Sequence, residues 1–124
     1  MSPGFAHGQQ HGDDHGIRPS YKHCLDAAGG TTPSMQACMD SEYDFQDARL
    51  NKAYKQVLEK LDQAGRSKLR AEERAWIGHR EAHCKADPDG GQAAELLSYD
   101  CSVHETAKQA AHLENLLRGE GVKR

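Results

Sequence analysis

The chain is poor in the things that build a large core. Apolar residues make up 36% of its 124 positions, and aromatics only 6%: one Trp, four Tyr and two Phe. A core assembled from Leu, Ala, Val and a few rings is thin, and small domains with thin cores draw stability from cross-links. No apolar stretch approaches the roughly 20 residues of a membrane span. There is no basic excess either: the formal net charge is −3, which argues against nucleic acid as a partner. Nucleotide-binding glycine motifs and G-x-S-x-G are absent, and no cysteine sits in a CxxC pair, so a zinc ribbon or a thioredoxin-like redox centre is not expected. No start resembling a signal peptide is visible at Met1-Ser2-Pro3-Gly4.

What is present is an even set of cysteines, Cys24, Cys38, Cys84 and Cys101, all inside the patterned part of the chain. Two disulfides are the economical reading. They imply the periplasm, the cell surface or the extracellular space, with any signal peptide already removed. Four cysteines allow three pairings. If a short first helix folds back on the start of the second, Cys24 comes near Cys38. Cys84 then closes the third helix opposite Cys101, early in the fourth. The chief rival joins Cys38 to Cys84.

Residues 1–19 carry four glycines, three histidines and two prolines with almost nothing apolar, so a flexible tail is expected there and a single helical domain over 20–124. His7, His11 and His15 recur every fourth residue, but Gly8, Gly12 and Gly16 argue against a helix that would align them. Tyr21–Ala28 reads as a short helix stopped by Gly29-Gly30. A long helix follows, with Thr32 as its cap and Pro33 in its first turn. Its apolar stripe runs Met35, Met39, Tyr43, Leu50, Tyr54, Val57, Leu61. Gly65 marks the next turn. A third helix from about Ser67 carries Leu69, Trp76, Ile77 and Cys84 inward, and Asp87-Pro88-Asp89-Gly90-Gly91 breaks it. In the fourth, Leu96, Val103, Ala110 and Leu117 are spaced by seven, with Tyr99, Thr106 and Leu113 between them: a heptad seam. No segment alternates as a strand would. The expected fold is all-α, a compact antiparallel three-helix bundle with a short leading helix, stapled by two disulfides.

Chemistry is harder to find. His79 and His83 lie four apart on one helix face and could share a metal ion. However, the acid of a zincin motif follows its first histidine directly. Here Arg80 holds that place, and Glu81 is turned about 100° away. No catalytic residues, cofactor or resident metal are expected, and the chain is not expected to be an enzyme. Asp40, Glu42, Asp44 and Asp47 form an acidic run. It is either a dipole-favoured helix start or, through Asp40, Glu42 and Asp44, a patch for a basic protein partner.

Leu50-Asn51-x-x-Tyr54, then Arg74-Ala75-Trp76-Ile77-x-x-Arg80-x-x-x-Cys84, then Cys101 and Thr106, resemble the LprI-like lysozyme inhibitor family. Cys24, Met35, Cys38 and Asp47 fall where that family also has them, and the resemblance covers residues 24–117. The chain departs from the family at Glu73, where Gln is usual, at His79 and Glu81, where an aromatic and Asp are common, and at Gln109, where Arg is. The resemblance implies a secreted, periplasmic or lipid-anchored bacterial protein. Some members are held to inhibit lysozyme-type muramidases, and many have no established activity. No lipobox cysteine is visible.

Of the motif residues, Leu50, Tyr54, Trp76 and Ile77 lie on apolar stripes and are expected in the core. Asn51 and Arg80 are polar groups beside a core stripe and need partners: either a structural clasp, with Asp47 or Glu73 pairing with Arg80 between the second and third helices, or direct contact with a protein partner. The expected function is that of a cell-envelope protein-binding domain, an inhibitor that occludes the cleft of a basic lysozyme-type hydrolase. The candidate loops are 87–91 and the turn near Gly65. The alternatives are metal handling through His79, His83 and the tail histidines, or an adaptor without inhibitory activity.

Overall fold

A computed structural model describes residues 14–119. Helix α1 spans Pro19–Ala27, α2 Thr32–Lys60, α3 Gln63–His83 and α4 Gly91–Leu117. No strand occurs among the described residues, and none of the helices is long and apolar enough to cross a membrane. Successive helices run antiparallel. The tightest packing joins α2 to α4, which run parallel: Thr32 meets Gln92, Tyr99 meets Asp40, and Arg49 meets Glu114. The heptad seam of α4 faces α2, and α3 leans against both.

The disulfides pair Cys24 with Cys38 and Cys84 with Cys101. The first fastens α1 to the start of α2, the second the end of α3 to α4. Two boundaries and one core assignment need correction. The residue that precedes α2 is Thr31, not Thr32, and its hydroxyl donates to the Ala28 carbonyl instead of capping the helix. The turn between α2 and α3 is tighter than Gly65 suggested. Leu61 is extended, and Asp62 caps α3 by accepting from the Gly65 N–H at 2.8 Å. Gly65 therefore lies in the first turn of α3. Ile77, expected in the core, is 38% exposed, because α3 buries only a narrow stripe containing Leu69 and Trp76.

The core has two apolar ends. Tyr21, Cys38, Met39 and Val103 fill one; Leu50, Ala53, Val57, Leu69, Ala110 and Leu113 fill the other. Between them along α2 and α4 lie three buried polar residues, Glu42, Gln46 and Thr106. Buried polar groups must be hydrogen-bonded; Arg80 of α3 supplies the partner of Thr106, and the chain before α1 supplies those of Glu42 and Gln46. The Arg18 N–H and Nε donate to the two Glu42 carboxylate oxygens at 2.9 and 2.8 Å. Gln46 Nε2 donates to Glu42 and to the Gly16 carbonyl. Arg49 donates to the His15 carbonyl and to Gln46 Oε1, and forms a two-pronged ion pair with Glu114. Residues 14–18, which the sequence places in the tail, are thus a strap across α2. His7 and His11 lie outside the described residues.

Candidate functional site

The motif residues divide by helix face. Leu50 is buried, Tyr54 and Trp76 half-buried, and Asn51, Arg74 and Ile77 exposed. Arg80 does meet a partner beneath the surface, but not an acid. Its Nη1 donates to Tyr43 Oη at 3.1 Å and Thr106 Oγ1 at 3.0 Å, and its guanidinium lies 4.8 Å from the Trp76 ring centre. Asp47 instead accepts from Asn51 one turn along α2. Glu73 accepts from Gln109; burial raises its pKa, opposed by that hydrogen bond and by the Arg80 charge. A phenol from α2 and a hydroxyl from α4 take the guanidinium, while Asp47 and Glu73 are engaged by Asn51 and Gln109. Trp76, Arg80 and Thr106, scattered in sequence, form one clasp with Tyr43 that ties α3 to the α2–α4 pair.

The acidic run does not survive as a unit. Glu42 is 1% exposed and held by Arg18 and Gln46, so it is unavailable to a partner. The run also lies well inside α2, whose first turn holds no acid, and the helix-dipole explanation falls with it. Asp40 and Asp44 remain at the surface, Asp40 accepting from Tyr99 Oη at 2.5 Å.

That contact and its counterpart, Tyr21 Oη to Asp100 at 2.6 Å, make a pH prediction. Both phenols titrate above the ordinary tyrosine value, first because burial disfavours the phenolate and then because each donates to a carboxylate. The fold therefore favours the protonated phenol. The stability this brings is complete below the unfolded value, about 10, and is lost as pH rises beyond it. Phenolate absorbance should show Tyr21 and Tyr99 ionising only as the helices melt. Early, reversible ionisation of all tyrosines with the far-UV signal intact would contradict it.

His79 and His83 stack with ring centres 5.4 Å apart. Each turns Nε2 toward the Glu105 carboxylate, at 3.6 and 3.8 Å. Among the described residues no group of three or more His, Cys, Asp or Glu is arranged to hold a metal ion.

Directly after His83, α3 opens on the loop 84–90. Cys84, at its base, is disulfide-bonded to Cys101. Inside it Asp87 accepts from the Asp89 and Gly90 N–H groups, through its side chain and its carbonyl respectively. Glycine is required at 90, where a Cβ would come within 2.3 Å of Ala94 Cβ, and favoured at 91, whose φ is +64°. Beside this braced loop stands Leu97, 71% exposed. Together with Lys85, Ala86, Asp87 and Ser98 it lines a shallow depression over the disulfide. Leu97 was missed from sequence. The available signal was a leucine one position off the heptad seam, next to the inward Leu96.

A family description, lysozyme inhibitor LprI, matches residues 24–113. The chain belongs to the LprI family. The match takes in both disulfides, the Arg80 clasp, the braced loop and Leu97; it leaves out the residue 14–18 strap. An uncharacterized protein of Rhizobium meliloti (strain 1021) is 27% identical over 99 residues, covering 67% of this chain and 71% of the relative. No solved structure matches. The family's description points to a protein partner.

Proposed function

We propose that this LprI-family protein acts in the periplasm or outside the cell, where its disulfides persist, and inhibits a lysozyme-type muramidase by seating the loop 84–90 and Leu97 in the enzyme's cleft. The observation that carries the reading is Leu97, a large apolar side chain exposed beside a loop held by a disulfide. A rigid element loses little entropy on binding, which is how inhibitors reach high affinity from a modest interface. The turn near Gly65, the other candidate, is only the Leu61–Asp62 corner and presents no loop.

The chemistry around Leu97 suits such a cleft. Two carboxylates line the catalytic groove of these hydrolases, and Lys85, exposed and without an ion pair among the described residues, offers a cation to them. Asp87 lines the same depression, and Asp89 in the loop and Glu95 at the start of α4 are exposed as well, acids complementary to the basic surface of common lysozymes. Asp40 and Asp44 add to the negative field. Glu42 has no part in it.

The test is clearance of a peptidoglycan suspension by lysozyme, with and without the protein. Leu97→Asp and Lys85→Ala should each weaken inhibition about tenfold or more, the scale of a central anchor residue, and leave thermal melting unchanged because both side chains face solvent. Full inhibition by both variants would remove the loop from the reading. A parent protein that inhibits no muramidase would remove the inhibitor reading itself.

A further inference from the structure

At the end of the bundle away from the loop 84–90, the three long helices part around a half-open groove of about 720 Å³. That volume is in the range of small-molecule sites. Val57 from α2, Leu69 and Trp76 from α3, and Leu113 and Leu117 from α4 form its walls. Leu113 is completely buried behind it. The opening is different in character. Lys60 and Lys68 stand at it, with His112 and one acid, Glu72. Neither lysine makes an ion pair among the described residues. An acidic protein thus places two unpaired ammonium groups at the edge of an apolar groove.

We propose that this groove binds a single-chain fatty acid, its alkyl chain against the partly exposed Leu61, Trp76 and Leu117 and its carboxylate between Lys60 and Lys68. The hydrocarbon walls supply the burial, worth about 0.8 kcal/mol per methylene removed from water. The lysines select an anionic head and keep it at the surface, where their own charges stay hydrated. A groove between three helices, half open to solvent, suits a narrow chain laid along it better than a helix or a flat protein face. The site involves neither Leu97 nor the loop 84–90, so it stands or falls apart from the inhibitor reading.

Trp76 is the only tryptophan and lines the groove, so its emission reports occupancy directly. Titration of the full chain with dodecanoate below its micelle concentration should give a saturable shift in that emission. Lys60→Gln combined with Lys68→Gln should weaken dodecanoate about tenfold, or 1.4 kcal/mol, and leave dodecanol, the uncharged analogue, unaffected. Both lysines are exposed, so the double variant should fold as the parent does. No saturable shift would overturn the proposal. So would equal affinity for the acid and the alcohol in the parent, or an undiminished affinity in the double variant. A response to phosphatidylglycerol vesicles alone would assign the groove to a membrane surface, and a shift that tracks dimerisation in sedimentation would assign it to a second copy of the chain; either result rejects the fatty-acid site.

Discussion

Replacing Arg18 by Met is expected to destabilise the protein by about 3–5 kcal/mol, the cost of stranding a buried charge without its partner. The two ends of this ion pair are not equivalent. Glu42 is 1% exposed and Arg18 37%. Removing Glu42 frees an arginine that can turn into water; removing Arg18 leaves a carboxylate in the middle of the bundle with only Gln46 Nε2 and the residue-18 N–H. The arginine substitution should therefore be the more damaging. The double variant Arg18→Met with Glu42→Met should recover most of the loss, since an apolar pair of similar size has no desolvation penalty to offset. Urea unfolding of the two single variants and the double variant forms the cycle. Equal losses for the two singles would show that Glu42 is hydrated in solution. Against a usual total of about 5–15 kcal/mol, the Arg18 variant is close to the edge of folding.

Removing the Cys84–Cys101 bridge by replacing both cysteines with Ala should cost about 3 kcal/mol, from the freedom returned to an unfolded chain cross-linked across 17 residues. The Cys24–Cys38 bridge closes a loop of similar size, 14 residues, and should cost nearly as much. Function separates them. Only the first lies at the base of the loop 84–90, so its loss should weaken lysozyme inhibition under conditions where the chain is still folded, while loss of the second should leave inhibition of the folded fraction intact. Denaturation midpoints and the clearance assay, run on both double variants, read the two effects independently. Equal loss of inhibition in both would place the contact surface elsewhere.

The helices themselves were legible because the heptad spacing of α4 and the stripe of α2 repeat with the period of the α-helix, and because Gly29-Gly30 and Asp87–Gly91 interrupt it. The disulfide pairing followed from the same plan: once the helix ends are placed, Cys24 falls beside Cys38 and Cys84 beside Cys101. Ile77 misled because it sits next to Trp76, and neighbours on a helix point about 100° apart; only a third helix with a wide buried face could have covered both. Asp40, Glu42 and Asp44 look alike in the sequence, yet one is buried and two are exposed. A residue's rotation about α2 decides that, and a polar residue on the inward face gives no hydropathic sign of it.

The amino-acid sequence alone determined that this is a helical, doubly cross-linked domain of the LprI kind, since periodicity, breakers, cysteines and motif blocks are all local in the chain. Which polar groups meet was decided by tertiary structure. Arg80 reaches Tyr43 and Thr106 rather than Asp47 or Glu73, the strap at residues 14–18 closes over Glu42, and Leu97 is left standing in solvent beside a braced loop. Each of these depends on how far α3 and the first residues sit from the α2–α4 seam, a distance set by the packing of side chains from separate segments and encoded in no single stretch of sequence.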